Sequence, residues 1–140
     1  MKLKNIISIC LFLVVTLVLP QPSTAEEKIE VIPIIQSSKG LSGKNFSYLN
    51  GKPELRLLKV KIPVGLNTPI HTHPSPMLIH VYRGRLKHVR GEEINFFKAG
   101  DAFIESNNGG SHYVQNVGSK PAILHVGAIS VVGMPTAINK

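Results

Sequence analysis

From Leu55 to Val132 the chain runs as short apolar stretches, each cut by glycine or proline after about ten residues. Leu55 to Ile62 stops at Pro63-Val64-Gly65, and Met77 to Tyr82 stops at Arg83-Gly84. Arg85 to Val89 turns at Arg90-Gly91-Glu92 into Ile94 to Phe97, which turns again at Ala99-Gly100-Asp101. Ala102 to Glu105, His112 to Val117 and Ala122 to Val132 complete the series. Runs this short leave no room for an amphipathic helix, so the punctuation predicts an all-β sandwich or barrel. Val31 to Ile35 is apolar but interrupted by Pro33, which suits an edge strand. The tail from Gly133 to Lys140 is expected to be loose. No internal repeat, low-complexity block or linker divides the chain, so one domain is expected.

The first 25 residues read as an export signal. Lys2 and Lys4 give a positive start, Ile6 to Leu19 is apolar, and Pro20 and Pro22 precede the small residues Ser23-Thr24-Ala25. The apolar run is shorter than the roughly 20 residues that span a bilayer. A retained anchor is the alternative; a lipoprotein would need its cysteine at the end of the run, whereas Cys10 sits early in it. Cleavage after Ala25 is expected, giving a secreted or periplasmic protein with no stable membrane anchor. Removing 25 of the 140 residues leaves 115 (Glu26 to Lys140) and takes away Cys10. The exported domain then has no disulfide, and core burial must hold it, helped by a metal or a partner subunit.

Without Lys2 and Lys4 there are 14 basic residues against 8 acidic ones. The basic residues are scattered, apart from Arg83, Arg85, Lys87 and Arg90, which alternate with apolar neighbours as on the solvated side of a hairpin. That arrangement, together with export, argues against nucleic acid as a partner.

The chemistry-bearing residues are the six histidines. His71 and His73 are two apart, so on an extended strand both rings face one way and can converge on one ion. The stretch from Gly65 to Gly84 places glycine six residues before His71 and ends the next strand on glycine. Further on, Gly100, Gly109, His112 and Asn116 follow in order. These blocks resemble the two signature motifs of the cupin superfamily, Gly-x5-His-x-His-x3/4-Glu-x6-Gly and Gly-x5-Pro-x-Gly-x2-His-x3-Asn. The resemblance spans Gly65 to Asn116 and implies a single cupin β-barrel, a jelly roll of two antiparallel sheets. Two departures stand out. Met77 occupies the motif glutamate's place, and Asn107 replaces the second motif's proline after one additional residue. The run from His73 to Met77, His-Pro-Ser-Pro-Met, is similar to that of small single-domain cupins that carry methionine there.

The resemblance implies a metal site at His71, His73 and His112. Three neutral imidazoles leave the charge of a divalent ion uncompensated and coordination positions open, which favours a small anionic, chelating ligand. Iron is the first expectation, with Mn, Ni, Cu and Zn as alternatives. Thiol dioxygenases of the cupin class are similar in having three histidines, so the implied activity is oxidoreductase or dioxygenase chemistry; a non-catalytic metal- or small-molecule-binding module is the alternative. Met77 is either packing in the barrel wall or a soft thioether ligand suited to Cu(I). Glu105, at a strand end, is either a solvent-facing charge or a carboxylate that touches the metal or its ligands. Alternation turns His80 outward and Tyr113 away from the metal. His88 is expected in solvent with the basic hairpin; His125 could face either way, with a buried, hydrogen-bonded ring as the default. Phe96, Phe97 and Phe103 are expected in the core. A homodimer is expected through the edge strand at Val31 to Ile35.

Overall fold

The computed structural model describes residues 27–140; the proposed export signal, its cleavage point and Cys10 lie outside them. Residues 32–140 form one compact unit. Nine strands follow in chain order: β1 (Pro53–Ile62), β2 (His71–Thr72), β3 (Met77–Arg83), β4 (Arg85–Arg90), β5 (Glu93–Lys98), β6 (Ala102–Glu105), β7 (Tyr113–Asn116), β8 (Ala122–Val131) and β9 (Ile138–Asn139). All pair antiparallel, in a four-stranded sheet β1-β8-β3-β6, a three-stranded sheet β5-β4-β7 and the two-stranded ribbon β2-β9. The expected all-β barrel of antiparallel sheets is what forms.

Alternation decides what faces inward. On β3, Met77, Ile79 and Val81 are buried while Leu78 and Tyr82 face out. On β8, Leu124, Val126 and Ala128 join them; β4 adds Leu86, β6 adds Phe103 and β7 adds Val114. Each fully buried aliphatic side chain contributes about 1.5–3 kcal/mol by leaving water, so this shared interior, with no disulfide, is the main source of cohesion. Gly84, at the corner between β3 and β4, has φ +106°, and a Cβ there would lie 2.7 Å from the Cβ of Ala122. Buried Asn116 staples the other corner. Its Nδ2 donates to the Ile62 and Lys120 carbonyls, both at 2.9 Å, and its Oδ1 accepts from Gly118 N–H.

Four expectations are corrected. Val31 to Ile35 is not a strand; Pro33 offers no N–H to a ladder, and Val31, Ile32 and Ile34 are exposed. The tail is tied down: β9 pairs with β2, and Lys140 N–H donates to the Ile70 carbonyl. Phe96 is outside because edge strand β5 turns it to solvent, while Phe97 stacks on buried Phe103 at 4.2 Å between ring centres. Lastly, the basic hairpin is not wholly solvated. Leu86, His88 and Arg90 share the inner face of β4, so His88 is fully buried and the Arg90 side chain is only 10% exposed.

Candidate metal centre

Strand β2 delivers His71, and the chain immediately after it delivers His73. His112 precedes β7 and is fixed opposite His71 by two backbone hydrogen bonds, each 3.0 Å, between the same two residues. Parts of the chain about forty residues apart are thus joined at this bridge. The ring centres lie 4.8 Å (His71–His73), 4.5 Å (His71–His112) and 5.2 Å (His73–His112) apart. One nitrogen from each ring lies within 4.8 Å of the others.

The outer faces of the rings are occupied by carbonyls. His71 Nδ1 is 2.8 Å from the Pro69 oxygen, His73 Nδ1 is 2.9 Å from the Thr136 oxygen, and His112 Nδ1 is 3.4 Å from the Gly110 oxygen. A carbonyl only accepts, so Nδ1 carries the proton and donates, most firmly in His71 and His73. The lone pair is left on Nε2. This is the arrangement in which a backbone acceptor orients an imidazole for metal binding. Burial lowers the pKa of His73, an effect partly offset by the Thr136 carbonyl and reinforced by His71. Burial likewise pushes His112 down to about 4; Glu105 opposes the shift, and His71, His88 and His73 add to it. Both rings are therefore neutral at pH 7 and able to ligate. The donor set fits a first-row divalent ion.

Behind His112 lies a polar cluster of which the sequence pointed only to Glu105, as one of two alternatives, and not to His88 or Arg90. Glu105 is 2% exposed, and Arg90 Nη2 pairs with its Oε2. Its Oε1 is 2.7 Å from His88 Nε2 and 3.9 Å from His112 Nε2. The close approach of His88 is off the line a hydrogen bond needs, so neither ring nitrogen of His88, nor Oε1, has a hydrogen-bond partner. Burial alone would raise the Glu105 pKa; contact with His88 and the charges of His112, His88 and Arg90 outweigh it and hold the carboxyl below its ordinary value. Alternation from Leu86 on β4 and Phe103 on β6 was the signal that could have placed His88 and Glu105 inside.

Met77 is 1% exposed and lies directly across from Glu105 in the β3–β6 register. A thioether thus stands on one strand and a carboxylate on the neighbouring one. His80 and His125 are cross-strand partners on the half-exposed outer face, their ring centres 6.3 Å apart. His80 is outside as expected; of the two faces open to His125 it takes the outer one, not the buried default, beside Tyr82 with 5.0 Å between ring centres.

The histidines open onto a cavity of about 160 Å³, otherwise walled mainly by apolar side chains such as Leu58, Ile79 and Val126. Thr136 and Ala137 of the C-terminal tail also line it. That tail is pinned by Arg56, which donates to the Met134 carbonyl at 2.6 Å and Thr136 Oγ1 at 3.2 Å while paired with Glu54. A larger, open depression of about 450 Å³ beside Phe96, Phe97 and Val117 contains none of the histidines.

Solved structures with a similar fold include the DMSP lyase DddQ from Ruegeria pomeroyi DSS-3. It is 18% identical, with a TM-score of 0.52 over 61% of this chain and 43% of that one. The polyketide cyclase RemF from Streptomyces resistomycificus is 18% identical, with a TM-score of 0.52 over 64% of this chain and 62% of that one. A cupin 2 domain-containing protein from Halorhodospira halophila is 14% identical, with a TM-score of 0.53 over 61% and 57%. In each case the match spans less than two thirds of the relative, and at these identities the likeness is one of fold. No curated protein sequence matches this chain. The family model described as "Cupin domain" matches residues 58–131, more than half of the chain and running from within β1 to the end of β8, and the chain therefore belongs to the cupin family.

Proposed function

We propose that His71, His73 and His112 hold a divalent cation, iron in the first place, and that this centre takes a small anionic organic molecule in an oxygen-dependent oxidation. The observation that carries the reading is the convergence of three inward nitrogens whose Nδ1 atoms face carbonyls, at the end of a small apolar cavity. When bound, such an ion supplies Lewis acidity and redox chemistry. The protein's own part is to keep three imidazoles neutral, fix their rings and shield the reactant from water. Glu105 is paired with Arg90, so it leaves the ion's charge largely uncompensated, and an anionic ligand gains accordingly. The same pairing favours a second reading, a binding module without turnover. The one carboxylate lining the cavity is tied into an ion pair and is poorly placed to move a proton.

The test is metal analysis of the native protein, then anaerobic iron loading and oxygen uptake with a panel of small carboxylates and thiols. Saturable uptake, lost in the triple His→Ala variant, supports the enzyme. Tightly held zinc or copper without turnover supports the binder. Metal binding by wild type that the triple variant retains in full sinks the three-histidine site.

Two further parts of this reading concern the setting. Export with cleavage after Ala25 rests on the residue pattern of the first 25 positions, and an intact Met1 on the purified protein would overturn it. A homodimer is supported by the outer face of the large sheet, where Leu55 and Leu57 are each 80% exposed beside Leu78 and Ile129. Light scattering should show a dimer that Leu57→Lys dissociates; a monomeric wild type refutes it.

A further inference from the structure

We infer that the barrel holds a second cation seat, deeper than the first, formed by His88, Glu105 and His112. The inference rests on the reading above only in that His112 belongs to both sets.

The donor atoms of these three residues lie within 4.8 Å of one another, and all three side chains are buried. The His88 ring lies nearly parallel to that of His112, 4.8 Å between centres and 21° between planes. Two nitrogens and one carboxylate oxygen thus lie close enough together to share one ion. Nε2 of His88 and Oε1 of Glu105 stand 2.7 Å apart, off the hydrogen-bond line, and neither they nor Nδ1 of His88 has a hydrogen-bond partner. An orphaned buried polar atom destabilises the fold, and few persist in folded proteins without a reason. A phenylalanine at position 88 would fill similar space against Phe103, whose ring meets that of His88 edge-on at 5.9 Å, and would carry no such cost. A cation at this point answers one ring nitrogen of His88 and Oε1 of Glu105 together.

Arg90 shapes the seat from the far side. By taking Oε2 it turns Oε1 toward the two rings, and its charge opposes any cation nearby. A hard ion relying on charge alone gains little there. Ions whose affinity comes from nitrogen donors, Cu(II) and Zn(II) foremost, gain most. Because the Nδ1 of His112 faces the Gly110 carbonyl, that ring has one inward nitrogen to offer. The two seats therefore exclude each other: one ion per chain, at three nitrogens or at two nitrogens and an oxygen. An ion in the deeper seat leaves His71 and His73 uncoordinated, so metal content alone would not report a loaded outer site.

Cu(II) is the probe, with His80→Ala in every protein to remove the surface pair with His125. The His71→Ala/His73→Ala variant should keep one site per chain. Its affinity should be lower than that of wild type by about 10–100-fold, with an electron paramagnetic resonance pattern of two nitrogens. Adding Glu105→Gln or His88→Phe should weaken it by at least about tenfold more, while circular dichroism confirms the fold. The seat is overturned if the folded double variant binds no Cu(II), or binds it with no response to either addition. If wild type meanwhile shows a three-nitrogen site that His88→Phe leaves intact, only the deeper seat falls. If wild-type binding responds to His88→Phe and Glu105→Gln but not to loss of His71 and His73, the deeper seat stands and the outer one falls.

Discussion

Replacing Arg56 with alanine should weaken metal binding although Arg56 lies outside both donor sets. Its guanidinium makes two hydrogen bonds to the C-terminal tail, to the Met134 carbonyl and Thr136 Oγ1, and the Thr136 carbonyl in turn holds His73 Nδ1. Hydrogen bonds from a charged donor contribute about 1.5–3 kcal/mol each, less where water can replace the donor. With the Arg56 side chain 21% exposed, a net loss of about 2 kcal/mol for the pair is reasonable. That loss is set against the few contacts that keep the tail closed: the β2–β9 pairing and the Lys140–Ile70 hydrogen bond. Opening the tail leaves His73 free to rotate, and removing the partner that orients a ligating histidine costs about 10–100-fold in affinity. Zn(II) titration of Arg56→Ala should therefore show roughly tenfold weaker binding, with faster amide exchange at Lys140. The decisive comparison is a double-mutant cycle with His73→Ala. If Arg56 acts through His73, adding Arg56→Ala to His73→Ala should cost almost nothing more. An equal loss in both backgrounds, or no loss in either, would refute the coupling.

Three further outcomes follow from the same geometry. The metal-free protein should lose stability as pH falls from 6.5 toward 4, because depressed His112 and His73 take up protons more readily in the unfolded chain. For His112 the change is at most about 3 kcal/mol, readable by urea unfolding at pH 7, 5.5 and 4.5; Glu105 shifts stability in the same direction at lower pH, and a flat profile would contradict the assignment. Met77→Leu should cost less than about 1.5 kcal/mol and leave Cu(I) affinity unchanged, whereas a selective loss of Cu(I) would make the thioether a ligand. Gly84→Ala should destabilise by about 2–4 kcal/mol in thermal unfolding, since the new Cβ meets Ala122 at a positive φ.

Most of the barrel was legible because strand, turn and motif signals are local. Leu55 to Ile62, Met77 to Tyr82 and Ala122 to Val132 form strands within a residue or two of where their apolar runs and breakers put them. The approach of His71 to His112 was legible only through the family resemblance that the two blocks carry, not through either histidine alone. What was not legible depends on contacts between distant parts of the chain. Nothing local in Gly133 to Lys140 says that its Thr136 carbonyl will receive a histidine N–H from 63 residues away. His88 failed for a different reason. Its charged neighbours suggested a solvated hairpin, but in a strand parity outranks average polarity. Once Leu86 points inward, His88 and Arg90 must follow, and the cost of burying them has to be met inside the barrel. Glu105 meets part of it by accepting from Arg90 and standing against both His88 and His112. Met77 and Glu105 face each other across two hydrogen-bonded strands, and an arginine holds the buried carboxylate's negative charge beside the site.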